Sequence, residues 1–122
     1  MDKQEIGALK NELRHFTGSE QFFYNPLFRQ YRYTEGVQYL AEKAGAYWLL
    51  DHIFANQILD GLKAQPFQVW KITVNDDQSA RISVEDGNCH ELTFFLLGYT
   101  DFPLPEFSLW FIDETLLLPS EY

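Results

Sequence analysis

The sequence predicts an α+β fold, with two to three N-terminal helices packed on a C-terminal antiparallel β-meander of four to five strands. Three observations carry that prediction. Before Pro66 the apolar residues recur at steps of three and four, and after it they alternate. Helical segments come first and strands follow, which separates the two kinds of element instead of interleaving them. The chain of 122 residues is 46% apolar and 17% aromatic, which excludes a disordered polymer and supplies one core, so a single domain over 1–122 is expected.

The first helix is expected over 3–16, where Ile6, Leu9, Leu13 and Phe16 form one stripe. Asp2 can cap it, and Thr17-Gly18-Ser19 reads as its stop. Residues 20–33 hold six aromatics, and Pro26 bars a continuous helix. A short extended piece near 20–24 and an irregular aromatic connection are expected there. Thr34 reads as an N-cap with Glu35 in the first turn, where the helix dipole favours an acid. Val37, Leu40, Ala41 and Ala44 make the next stripe, and Gly45 is placed to break it.

Residues 46–62 read as one helix that is apolar nearly all round, with nine apolar side chains between Tyr47 and Leu59. One monomer's sheet is not expected to cover Trp48, Leu49 and Leu50 together. One of them should meet a second subunit or the 22–33 segment. Gly61 and Pro66 end the helix. Strand-like alternation then runs through Phe67–Val74 and Ala80–Glu85, separated by the turn Asn75-Asp76-Asp77-Gln78. His90–Leu97 and Phe107–Asp113 are the third and fourth strands, and Leu116–Leu118 a short fifth.

Charge is unevenly placed. The chain carries −9 overall, and residues 64–122 hold only Lys71 and Arg81 against 10 acids. Such a half repels phosphates and favours basic partners. Asp76-Asp77 and Glu85-Asp86 fall at opposite ends of the 67–85 hairpin, so the charge is expected to be spread rather than clustered. Weak, salt-sensitive binding to basic proteins and none to DNA follows. Cys89 is the sole cysteine, so no internal disulfide forms, and the polar N-terminus has no signal-peptide core. The longest apolar stretch is interrupted by Asp51, His52, Asn56 and Gln57, too polar to span a bilayer. A cytoplasmic location is expected, with no membrane partner.

Several segments resemble a small bacterial family of unknown function. They are Phe16-Thr17-Gly18-Ser19-Glu20-Gln21, Tyr33-Thr34-Glu35-Gly36-Val37, Leu40-Ala41-Glu42, Gly45–Asp51 and the ending Leu116–Tyr122. The resemblance spans most of the chain and implies a plasmid- or phage-associated setting. It implies no catalytic residue, because none is assigned in that family.

Four constellations could carry chemistry. Asp51-His52 lies in the apolar helix, where a carboxylate needs a partner. Adjacent helix residues point about 100° apart, so the structural alternative is expected: Asp51 buried and hydrogen-bonded to the 17–34 chain, with Thr17 and Ser19 as further structural polar residues. Cys89-His90 sits between Asp86 and Glu91, an acidic setting that does not suit a nucleophile. His15, His52 and His90 lack metal-ligand spacing, so neither metal nor cofactor is expected. Phe28, Arg29, Tyr31, Arg32 and Tyr33 interleave cations with aromatics, which suits a protein interface, core packing or single-stranded nucleic acid. Two cations are few for phosphate neutralisation.

The function expected from these features is a non-enzymatic, acidic protein-interaction domain, with homodimerisation as an outlet for the apolar surplus around Tyr47–Leu59. The alternatives are an antagonist of a basic protein, in the manner of a toxin-neutralising or DNA-mimicking inhibitor, and a small hydrolase using Asp51 and His52.

Overall fold

The computed structural model describes residues 1–18 and 21–122. Ser19 and Glu20 lie outside the described residues. Helix α1 spans Lys3–Leu13, with Asp2 and Glu5 forming a reciprocal capping box. It stops one turn short of the expected Phe16, whose ring instead packs on Tyr39 at 5.5 Å. Two short strands follow, β1 (Phe22–Tyr24) and β2 (Arg32–Thr34). Helix α2 (Glu35–Ala44) starts where the sequence places it, the Thr34 hydroxyl accepting from the Val37 amide. It ends at Gly45, whose φ of +62° is one that glycine adopts at little cost.

The expected single helix over 46–62 is three pieces: α3 (Tyr47–Ala55), a 3-10 turn over Asn56–Ile58, and α4 (Asp60–Lys63). The break has a polar cause. Gln57 turns inward and is buried, its amide donating to the Ile53 carbonyl and to Gln68. Leu59 is extended, at φ −66° and ψ 136°, and Ile58 and Leu59 are left exposed. The apolar surplus therefore goes to solvent at 58–59 and not to the three residues first suspected. Leu49 and Leu50 are buried, and Trp48 is half-buried beside Leu97 and Tyr99.

Strands β3 (Phe67–Val74), β4 (Ala80–Glu85), β5 (Glu91–Leu97), β6 (Glu106–Ile112) and β7 (Thr115–Leu117) complete one sheet in the order β1-β2-β7-β6-β3-β4-β5. The fold is α+β, with two corrections. Among the described residues the strands number seven, and the sheet is mixed, because β2 runs parallel to β7. The helices are not all N-terminal to the strands, since β1 and β2 precede α2. The physical reason is size. Strands of three residues show no readable alternation, and β2 is held by its two neighbours rather than by its own pattern.

Alternation in β3 buries Gln68, Trp70 and Ile72 and leaves Phe67, Val69 and Lys71 half-exposed. The core lies on the first face, where Ile82, Val84, Leu109 and Leu116 meet Val37, Leu40, Leu50, Ile53 and Phe54. Among the described residues no helix is long and apolar enough to cross a membrane.

The C-terminus is tied back onto α2. Glu121 accepts from the Thr34 hydroxyl at 2.6 Å, the Leu118 amide at 3.0 Å and the Gly36 amide at 3.3 Å. Two of the segments that mark the family resemblance, Tyr33–Val37 and Leu116–Tyr122, are thus the two halves of one clamp.

Candidate functional site

The segment from Phe22 to Tyr33 is organised by a residue that sequence reasoning passed over. Asn25 is buried, and its Oδ1 accepts from the amides of Leu27 and Phe28, both at 2.9 Å. Its Nδ2 donates to Asp51 Oδ1 at 2.8 Å. Its own amide donates to the Tyr31 carbonyl, and the Tyr31 amide donates to that of Phe28. The loop 25–31 is closed on itself and pinned to α3. The Asn-Pro pair was the available signal, since an Asn side chain often turns the backbone two residues on.

The predicted binding residues divide. Tyr31 and Tyr33 are core residues: Tyr31 stacks on Phe54 at 5.5 Å, and Tyr33 stacks on Phe23 at 5.7 Å. Burial raises the Tyr33 phenol above its ordinary pKa, with the charges of Glu42 and Asp51 adding to it. Phe28 is half-buried against the core. Arg32 is committed as well, donating from Nε to Thr115 at 2.7 Å and lying over the Phe22 ring at 4.7 Å. Arg29 is exposed. The exposed apolar side chains of the segment are Phe22, Tyr24 (60% exposed) and Leu27 (75% exposed), none of them among the predicted five. They stand at the β1 edge of the sheet.

Asp51 is exposed, which overturns the expectation that it is buried, although its partner does come from the 17–34 chain. The reason is position: Asp51 sits on the side of α3 away from its buried residues Leu50, Ile53 and Phe54, and Asn25 reaches out to it. Thr17 is exposed, and Ser19 lies outside the described residues.

His52 turns the other way. Its ring meets Phe95 edge-on at 4.6 Å and Trp70 at 6.0 Å. Nδ1 has Asn56 at 3.3 Å, and Nε2 is buried without a hydrogen-bond partner among the described residues. The two side chains thus serve different neighbours.

The setting of His52 makes stability depend on pH. Burial lowers its pKa below the ordinary 6.5. The unfolded chain therefore takes up a proton that the fold resists. His52's contribution is fully present above about pH 6.5 and is lost as the pH falls through the lowered folded value. Urea unfolding from pH 8 to pH 5 should show wild-type stability falling more steeply than that of His52→Phe, which removes the titration. Parallel profiles would show that His52 does not report on the fold.

Cys89 is exposed in the β4–β5 turn with a φ of +64°, not in a strand. There Asp86 accepts from the His90 amide, and its second oxygen stands 3.2 Å from the His90 ring. Among the described residues no three histidine, cysteine or acidic side chains are grouped to hold a metal.

No curated protein and no solved structure matches this chain. A family model does match, over residues 7–122, and the chain belongs to that family, the family of unknown function DUF6876.

Proposed function

We propose that this domain acts by binding another protein and performs no chemistry of its own. The observation behind this reading is the 22–29 segment. It presents Phe22 and Tyr24 on β1 and Leu27 and Arg29 on the loop that follows, whose backbone is fixed by buried Asn25. Exposed aromatics with arginine are the composition of interface hot spots, and a fixed loop loses little entropy on binding. Nucleic acid is disfavoured by the −9 charge, and Arg32 is already occupied by Thr115 and Phe22.

A second reading, antagonism of a basic protein, rests on the acidic half. There Asp76 and Asp77 lie in the β3–β4 turn, and Glu85 and Asp86 lie at the other end of that hairpin. Glu91 and Glu106 are paired with Arg81 and Lys71 at 2.7 and 2.9 Å. Charge so dispersed and partly neutralised fits solubility better than imitation of a phosphate ladder.

Affinity capture separates the readings. With Tyr24→Ala/Leu27→Asp as bait the partner should be lost, and with Asp76→Asn/Asp77→Asn/Glu85→Gln/Asp86→Asn it should be kept. Loss with the acidic variant alone, accompanied by a flattened salt dependence, would favour the antagonist. A partner retained by both baits would contradict both.

A further inference from the structure

The opposite edge of the sheet has a different character. Strand β5 is terminal, seven residues long, and has no fully buried residue. Phe94 is 48% exposed and Leu96 72%. Its backbone pairs with β4 alone, and among the described residues no other backbone or side-chain group hydrogen-bonds to its free edge. Natural edge strands are blunted by proline, lysine, shortness or a bulge. Here there is neither proline nor lysine in Glu91–Leu97, and the one bulge, where Leu92 of β5 is left over between the pairs Val84–Thr93 and Glu85–Glu91, is confined to the start of the strand.

Charge decides what the edge can accept. A chain of −9 repels its own copies over most of its surface, yet residues 92–100 carry no charged side chain. The lone acid of the strand, Glu91, is neutralised by Arg81 at 2.7 Å, and Arg81 also lies over the Phe94 ring at 4.3 Å. This is the least charged stretch of the acidic half, and it is where a second acidic copy meets least repulsion.

We propose that β5 pairs antiparallel with β5 of a second copy, joining two seven-stranded sheets through a two-fold axis near Phe94. Such an axis sets Phe94 beside Phe94 of the second copy, an apolar cross-strand pair of the kind that stabilises sheets, with Leu96 exposed on the same face. It sets each Glu91 near the Leu96–Leu97 end of the second copy's strand. The two Glu91 residues then stand about 20 Å apart along the strand at about 3.3 Å per residue. That separation exceeds the screening length of about 8 Å at physiological salt. The contact lies at the other edge from the 22–29 segment and does not depend on the role proposed for that segment.

One seven-residue edge is at the small end of specific interfaces, so the dimer should form in the micromolar range. Sedimentation of the wild-type protein at about 100 µM should give twice the chain mass. The same measurement on Phe94→Lys/Leu96→Lys should give the monomer, still folded and melting cooperatively, since neither side chain belongs to the core. Hydrogen exchange on the wild type needs no variant: protection of the 91–97 amides should rise with concentration. A wild-type monomer at that concentration, a dimer indifferent to the two lysines, or a dimer whose β5 amides show no concentration dependence would each overturn the proposal.

Discussion

Gln68→Ala is expected to destabilise the fold by about 3–5 kcal/mol, because it removes the centre of a buried polar network and leaves a cavity. Gln68 and Gln57 exchange paired amide bonds of 2.8 and 2.9 Å. The Gln68 Oε1 also accepts from Trp70 Nε1 at 2.8 Å, and its Nε2 donates to the Leu62 carbonyl at 3.1 Å. Every one of these groups is in the core, where an unpaired donor or acceptor is costly. Urea denaturation of Gln57→Ala, Gln68→Ala and the double variant checks this. The double variant should be less destabilised than the summed singles, since each single already breaks the amide pair. A Gln68→Ala protein within about 1 kcal/mol of wild type would show the network to be incidental.

The second large effect falls on the C-terminal clamp. A methyl group on Gly36 would lie 2.6 Å from Leu118 Cδ1 and 2.7 Å from Glu121 Oε1. Leu118 is buried and cannot swing clear, so the carboxylate must give way and with it its bonds to Thr34, Gly36 and Leu118. Gly36→Ala and Glu121→Ala should each cost about 2–3 kcal/mol, near the value of a part-buried charged hydrogen-bond cluster. Both break the same contact, so the double variant should be little worse than either single. Thermal melts would read this directly, and full additivity would mean that the two residues act separately.

These two networks also mark what could be read from sequence. Thr34, Gly45 and the alternation of β3 and β4 were legible because each is a local signal: a cap, a left-handed stop, a period of two. Of the short strands, β1 and β7 were legible as an extended piece near 20–24 and a short strand over Leu116–Leu118, whereas β2 was not, since pairing partners far along the chain define it. Gln57 and Gln68 gave no sign of their pairing, because two neutral amides 11 residues apart have no recognisable spacing. For the same reason the break after Ala55 was hidden. It follows from Gln57 turning inward to meet Gln68, which no helical periodicity encodes.

The aromatic segment divides on the same principle. Its density of Phe and Tyr was plain, but the division into core and surface came from tertiary packing. Tyr31 and Tyr33 alternate along one strand direction into the core, whereas Tyr24 and Leu27 fall outside it. Asn25 decides that division by fixing the loop, and its anchor on Asp51 explains why an exposed helix carboxylate faces this segment.

The role of the 22–29 surface is tested most directly by placing a photo-crosslinking residue at Leu27 and, as a control, at Ile58, which is equally apolar and similarly exposed. Irradiation in cells should give a discrete adduct of higher mass from position 27 and none from position 58. No adduct from position 27, or the same adduct from both, would contradict a partner seated on this segment.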